Sequence, residues 1–283
     1  MPHEDFRELN GLRHHIVEWD APPGVPTLVL LHGYLDLAWS FAPFAAALQA
    51  RMPVRLIAPD LRGHGETEWV GRGGYYHFAD YVADVHALLT ALPKPLWLLG
   101  HSMGGSLSAI LAGTFPDLIS RLVLVEGLGP ASRDDDPADR MAQWIQEVGE
   151  RREKPSRPMT LAEAARRLQD KHVRLPDELA KFLAEKGTRA VDGGYVWSFD
   201  PLHRTRSPAP FPLDQFRRFL KRIACPTLLV EGSESWFRAF VDVDGRDRDI
   251  AGREVKVIDQ ASHMIHQEQP EALASVVAEF LRR

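Results

Sequence analysis

Short, mostly apolar runs recur along the chain at residues 27–31, 54–58, 95–99, 121–125 and 226–230. Runs of this length without polar alternation suit strands covered on both faces, as in a parallel sheet. Between and after them, residues 40–50, 78–92, 107–112 and 270–283 carry apolar positions at helical spacing. This alternation predicts an α/β protein with a doubly wound, mostly parallel sheet. Upstream, residues 6–20 hold two β-like runs broken at Asn10-Gly11, a pair that favours a hairpin turn at a sheet edge. A last strand is expected at 254–258. Between 131 and about 219 the pattern changes to polar and amphipathic segments, with helices expected at 138–152, 160–171 and 176–186 and no convincing buried strand. The organisation is therefore a core of residues 1–130 and 220–283 carrying a helical cap at 131–219.

Composition adds bounds. With 283 residues, 45% of them hydrophobic and 26% charged, the chain is globular rather than disordered or fibrous. A net charge of −5 offers no electrostatic reason to expect nucleic acid. The insert is mildly basic against an acidic remainder, and its Arg151-Arg152-Glu153-Lys154 cluster reads as a solvated helix face. Cys225 is the single cysteine, which excludes an internal disulfide and suits a buried structural thiol in a reducing compartment. No signal-like h-region and no membrane-length apolar stretch occur, so a cytoplasmic protein without membrane association is expected. A small-molecule substrate, no cofactor, no metal, and a monomer or homodimer complete the expectation.

The candidate chemistry sits where strands end, the edge at which open parallel sheets bind ligands. Gly100-His101-Ser102-Met103-Gly104 follows an apolar strand and opens a helix. Such a turn forces its central residue into a strained conformation and exposes the Ser102 hydroxyl beside a helix N-terminus. The Met103 N–H then faces a developing oxyanion, and His32-Gly33-Tyr34, ending another strand, places the Tyr34 N–H as a second donor. His263 follows the last strand on the same edge, where a base for Ser102 must come from. His266 starts the next helical turn and reads as structural, since His-x-x-His lacks a third metal ligand. Asp60 and Arg62 read as a loop folded on itself by hydrogen bonds and charge, and Asp134-Asp135-Asp136 as a solvated cap entrance.

These motifs, in this order, resemble the α/β-hydrolase fold superfamily: His32-Gly33, Asp60-Leu61-Arg62-Gly63-His64-Gly65, Gly100-His101-Ser102-Met103-Gly104-Gly105 and Ser262-His263. The resemblance implies an eight-stranded sheet, a cap inserted after the sixth strand, and a Ser, acid, His triad. In most members the acid is an Asp shortly after the seventh strand, but Ser235 stands at that position here. Some members take the acid from the end of the sixth strand, where this chain has Glu126, and Glu126 is the assignment. Glu234 is the alternative, followed by Asp242 and Asp244. Ser102 in place of an elbow Asp argues against haloalkane dehalogenase or epoxide hydrolase chemistry and favours an acyl-enzyme. Asp36, Trp39, Trp197 and His203 lie in segments resembling serine hydrolases of undefined substrate and are candidate substrate contacts.

The expected function is a serine hydrolase, carboxylesterase-like, cleaving a small or medium carboxylic ester, thioester or lactone. A carbon-carbon bond hydrolase or perhydrolase would use the same triad. A ligand receptor on a hydrolase scaffold is the alternative from another class, raised by the missing acid at 235.

Overall fold

The computed structural model describes residues 2–131, 136–154 and 156–283. Among these residues ten strands form: β1 (His3–Leu9), β2 (Leu12–Trp19), β3 (Thr27–Leu31), β4 (Arg55–Pro59), β5 (Leu96–His101), β6 (Arg121–Val125), β7 (Thr188–Val191), β8 (Gly194–Trp197), β9 (Thr227–Gly232) and β10 (Glu254–Ile258). Eight of them make one sheet in the order β1-β2-β4-β3-β5-β6-β9-β10. Pairing is antiparallel at β1–β2 and β2–β4 and parallel from β4 to β10. Asn10 (φ 50°) and Gly11 (φ 77°) turn the first hairpin, the positive-φ pair that matches strand twist.

The apolar runs divide between two cores because successive strand side chains point to opposite faces. Leu28, Leu30, Leu56, Ala58, Leu99, Val123, Val125, Leu228 and Val230 join one cluster. Val29, Leu31, Ile57, Leu98, Leu122, Leu124 and Leu229 join the other. The helices are α1 (Ala42–Gln49), α2 (Phe78–Thr90), α3 (Met103–Thr114), α4 (Pro137–Glu153), α5 (Leu161–Lys171), α6 (Asp177–Lys186), α7 (Leu213–Leu220), α8 (Phe237–Asp244), α9 (Ile265–Glu268) and α10 (Pro270–Leu281). Phe44, Leu48, Leu273 and Val277 of α1 and α10 cover the first face; Val85, Leu88, Leu107, Leu111, Phe216 and Leu220 of α2, α3 and α7 cover the second. Each such burial is worth about 1.5–3 kcal/mol, so the sheet's edge is held rigidly enough to position loops. Among the described residues no helix is long and apolar enough to cross a membrane.

The segment between β6 and β9 carries α4, α5 and α6 where helical spacing predicted them, with Asp136 accepting from the N–H groups of Ala138 and Asp139 to cap α4. Asp134 and Asp135 lie outside the described residues. The segment also holds a hairpin that the pattern did not predict, β7–β8. Its strands are four residues each and mostly half-exposed, so they show no apolar run; the Asp192-Gly193 turn was their one local signal. α7, at the end of the segment, packs on α3 so closely that a Cβ on Gly113 would lie 2.2 Å from the Phe219 carbonyl oxygen.

The loop after β4 folds back on itself through Asp60, as expected, while Arg62 finds its partner outside the loop. Asp60 accepts from the Ala38 N–H (2.7 Å), the Glu66 N–H (2.9 Å) and His15 Nδ1 (2.8 Å). Arg62 instead makes a bidentate pair with Asp84 of α2, at 2.6 and 2.7 Å. The planar fork matches a carboxylate on the facing helix, so the loop is fastened to α2 by charge as well as to itself by the Glu66 N–H and by the Thr67 hydroxyl on the Asp60 carbonyl (2.7 Å).

Candidate active site

Ser102 sits between β5 and α3 at φ 52° and ψ −113°. A non-glycine residue persists there only when its surroundings force it. The constraint is close packing of the elbow: a Cβ on Gly104 would lie 2.2 Å from the Leu31 carbonyl oxygen, and one on Gly105 would lie 2.5 Å from Gly127 Cα. Glycine lets the start of α3 press onto β3 and onto the loop after β6, leaving Ser102 at the apex. The Ser102 N–H donates to the Val125 carbonyl (2.9 Å), so the elbow is also tied to the end of β6.

Glu126 follows directly on β6. Its backbone is in the left-handed region as well (φ 53°), and its carboxylate is fully buried. Oε1 accepts from the Gly232 N–H at 2.7 Å, and Oε2 accepts from the Ser235 hydroxyl. The same Oε2 lies 3.1 Å from His263 Nδ1, and His263 Nε2 lies 2.9 Å from Ser102 Oγ. The three side chains thus form one continuous line from carboxylate to hydroxyl. With Nδ1–H donating to Glu126, Nε2 is left as the lone pair facing Ser102.

His101 fastens the base. Because a carbonyl only accepts, Nε2–H of His101 donates to the His263 carbonyl (2.8 Å), which leaves Nδ1 as a buried, unpartnered lone pair. Burial, with His266 and His263 nearby, holds His101 well below the ordinary histidine value, so its ring is neutral and the strap persists at neutral pH. Ser262 is held in turn by Glu268, which accepts its N–H at 2.6 Å and its hydroxyl. The indole of Trp236, 62% exposed, lies 5.0 Å from the His263 ring.

A Cβ on Gly33 would lie 2.9 Å from His101 Nδ1 and 3.3 Å from Ser102 Cβ, so the 32–34 loop passes directly beside the hydroxyl. Among the described residues the backbone N–H groups of Tyr34 and Met103 make no hydrogen bond. Two free donors flanking the serine are what a tetrahedral oxyanion requires.

A model described as the alpha/beta hydrolase family matches residues 28–276. The chain belongs to the alpha/beta hydrolase family. A serine hydrolase-like protein of Danio rerio is 29% identical over 277 residues, covering 93% of this chain and 83% of that protein. Among solved structures, a thioesterase domain from the curacin biosynthetic pathway is similar with a TM-score of 0.88 and 28% identity, over 98% of this chain and 99% of that one. A hypothetical protein of Pseudomonas aeruginosa PAO1 matches with a TM-score of 0.88 and 27% identity, over 99% of both chains.

This alpha/beta hydrolase brings Ser102, His263 and Glu126 together and leaves the other candidate acids elsewhere. Glu234 points outward and pairs with Arg174. Asp244 is engaged by Arg246, and Asp242 is exposed. Of the candidate substrate contacts, Asp36 is taken up by a buried network: it accepts from Ser40 Oγ (2.9 Å) and lies 3.4 Å from His266 Nε2. Burial alone would raise its carboxyl, but His266 and Ser40 hold it below the ordinary value. Asp36, His101 and His266 bring potential ligand atoms within 4.8 Å of one another, a group that leaves out His263 of the His-x-x-His pair, and hydrogen bonds already occupy Asp36 and Nε2 of His266. Trp39 is buried against Trp19 and Phe182, with its indole N–H on Glu4 (2.8 Å). Trp197 stacks beside Phe199 at 6.1 Å. Among the described residues no hydrogen bond or ring contact joins any of these three to Ser102 or His263. His203 is buried too, between His64 (ring centroids 4.1 Å) and Tyr76 (3.9 Å), and burial lowers it to about 4. Its carbonyl accepts from the Tyr34 hydroxyl, so it props the 32–34 loop. Sequence reasoning missed the holding roles of Ser235, His101 and His203; the one signal was Ser235 itself, standing where the usual acid belongs.

Proposed function

We propose that this protein is a serine hydrolase that cleaves carboxylic esters or thioesters through an acyl-enzyme. The observation that carries this reading is the unbroken line from Ser102 Oγ to His263 to Glu126 at 2.9 and 3.1 Å. His263 takes the Ser102 proton as Oγ bonds to the substrate carbonyl carbon, and the oxygen, now negative, is held by the N–H groups of Tyr34 and Met103. His263 returns the proton to the departing alcohol or thiol as its bond to carbon breaks. Water, deprotonated by the same ring, then splits the acyl-serine and releases the acid. Glu126 stabilises the imidazolium in both halves, and its contact with His263 favours an enzyme over a receptor on the same scaffold. The likeness to a thioesterase domain supports acyl transfer. The segment at 131–219 serves as the cap over Ser102, and the protein acts in the cytoplasm as a monomer or homodimer on a small-molecule substrate.

The test is labelling by a fluorophosphonate together with hydrolysis of short p-nitrophenyl esters. Wild type is expected to label once and to turn over, and Ser102→Ala to do neither. Turnover that survives in Ser102→Ala, or a wild type inert to probe and esters alike, would overturn the reading.

A further inference from the structure

A hollow of about 1120 Å³ opens between the 69–73 loop, the C-terminal end of α4 and the β7–β8 hairpin. Ser102 does not line it. Its wall carries five cations, Arg72, Arg151, Arg152, Lys154 and Arg189, against three carboxylates. One of those, Asp200, is already occupied by the Tyr76 hydroxyl (2.8 Å) and the Leu202 N–H (2.9 Å). The cations are poorly neutralised. Arg152 donates to the Gly74 carbonyl (2.9 Å), Arg189 lies over the Trp69 ring (5.1 Å), and Lys154 reaches Glu150 only at 3.7 Å. Among the described residues no carboxylate lies within ion-pair distance of Arg72 or Arg151. A helix C-terminus favours basic residues, which accounts for Arg151 and Arg152 in the last turn of α4. It does not account for Arg72 and Arg189, which reach the same hollow from a loop and a strand.

The hollow adjoins the oxyanion loop. Pro201 and Leu202 of its wall lead into His203, whose carbonyl holds the Tyr34 hydroxyl, and then into Arg204. Burial lowers the Arg204 guanidinium, and Arg151 lowers it further; both cations also bear on the Tyr34 hydroxyl. Arg204 rests over the Phe199 ring (5.0 Å) and, among the described residues, has no carboxylate within ion-pair distance. Like charges in excess over acids are stabilised by a bound anion, and guanidinium forks suit phosphate. A volume of this size, with cations from three elements, exceeds what a single carboxylate needs. Several phosphates belong to a carrier group rather than to an acyl chain.

We propose that this basic hollow holds the phosphorylated end of an acyl carrier whose thioester is presented to Ser102, so that the leaving group is recognised by charge at a distance from the scissile bond. This rests on the acyl-enzyme reading above. Ser102 Oγ bonds to the acyl carbon, the carbon–sulfur bond breaks, and His263 passes the serine proton to sulfur. The carrier departs as a thiol, and water releases the acid. The arginines hold the carrier and take no part in these steps.

The test compares kcat/KM for coenzyme A thioesters, from acetyl to octanoyl, with the N-acetylcysteamine thioesters of the same acids, which share the bond and lack phosphate. Wild type is expected to prefer the coenzyme A thioester at least tenfold at low salt, with the preference shrinking as salt screens the charges. Arg72→Ala/Arg151→Ala is expected to abolish that ratio. Lys181→Ala, an exposed site paired with Glu178, serves as the control with the ratio kept. A ratio near one in wild type, no turnover of the coenzyme A thioesters, or a ratio unchanged in the double variant overturns the proposal. If p-nitrophenyl esters are still hydrolysed in that event, the acyl-enzyme reading stands. If they are not, both fall.

Discussion

Ser235 shows how one hydroxyl can replace a missing acid without doing the acid's work. It occupies the position at which the family's aspartate is usual, yet it carries no charge. Its hydroxyl donates to Glu126 Oε2, the oxygen that also accepts from His263, and its own oxygen is fixed by the Phe237 N–H at 3.1 Å. A hydrogen bond to a charged group contributes about 1.5–3 kcal/mol, so Ser235→Ala is expected to lower kcat by roughly 10- to 100-fold. KM for short esters should change little, because Ser235 touches the acid and not the substrate. Steady-state kinetics on p-nitrophenyl acetate would check this; an unchanged kcat would mean that Gly232 alone orients Glu126. That Ser102 and His263 would meet was legible from residue type and from place at a strand end, and that Glu126 would join them from the family resemblance as well. The role of Ser235 was not, because a serine's partner is set by a side chain more than a hundred positions away.

At the scale of elements, the nucleophile's geometry depends on α3 approaching β3 more closely than any side chain allows. Gly104→Ala would put a methyl group 2.2 Å from the Leu31 carbonyl oxygen, a backbone atom that cannot step aside. Overpacking of this kind costs about 1–3 kcal/mol or more. Thermal unfolding should register that loss together with reduced fluorophosphonate labelling, since the same shift displaces Ser102. A variant with wild-type stability and labelling would show that the elbow is not packed as described. The strands and helices that build this elbow were readable because apolar runs buried on both faces leave a strong pattern. The β7–β8 hairpin was not, since four-residue, half-exposed strands leave almost none. Asp36 and Trp39 illustrate a related limit: their loop adjoins the site, but the turn of the chain directs Asp36 to Ser40 and His266 and Trp39 to Phe182.

Across the whole molecule, histidines buried in neutral form make folding sensitive to acid. His203 is lowered by burial from 6.5 to about 4, and His64 and His101 are lowered well below their ordinary value by burial and neighbouring histidines. Between these limits the unfolded chain binds protons that the folded chain does not, so stability falls as pH drops below about 6.5 and is unaffected by these groups above it. For His203 alone the loss reaches about 3 kcal/mol near pH 4. The carboxylates that folding lowers, such as Asp36 and Asp84, are held below the ordinary carboxylate value by their hydrogen-bond partners and act in a more acidic window. Urea midpoints between pH 7.5 and 4.5 should therefore decline, and His203→Gln should make the decline shallower. An equal slope in both proteins would mean that His203 is protonated in the folded state. The sequence indicated a globular, mildly acidic hydrolase, but the burial of His64 and His203 depends on packing between the loop after β4 and the inserted segment, which no local pattern encodes.

The central claim is that Glu126 completes a catalytic line with His263 and Ser102, and the most direct measurement is the turnover number of wild type, Glu126→Gln and Glu234→Gln on one short p-nitrophenyl ester, with thermal unfolding alongside. The account predicts that Glu126→Gln stays folded and loses on the order of 10⁴-fold in kcat, while Glu234→Gln matches wild type. A folded Glu126→Gln that turns over at the wild-type rate, beside an inactive Ser102→Ala, would contradict it.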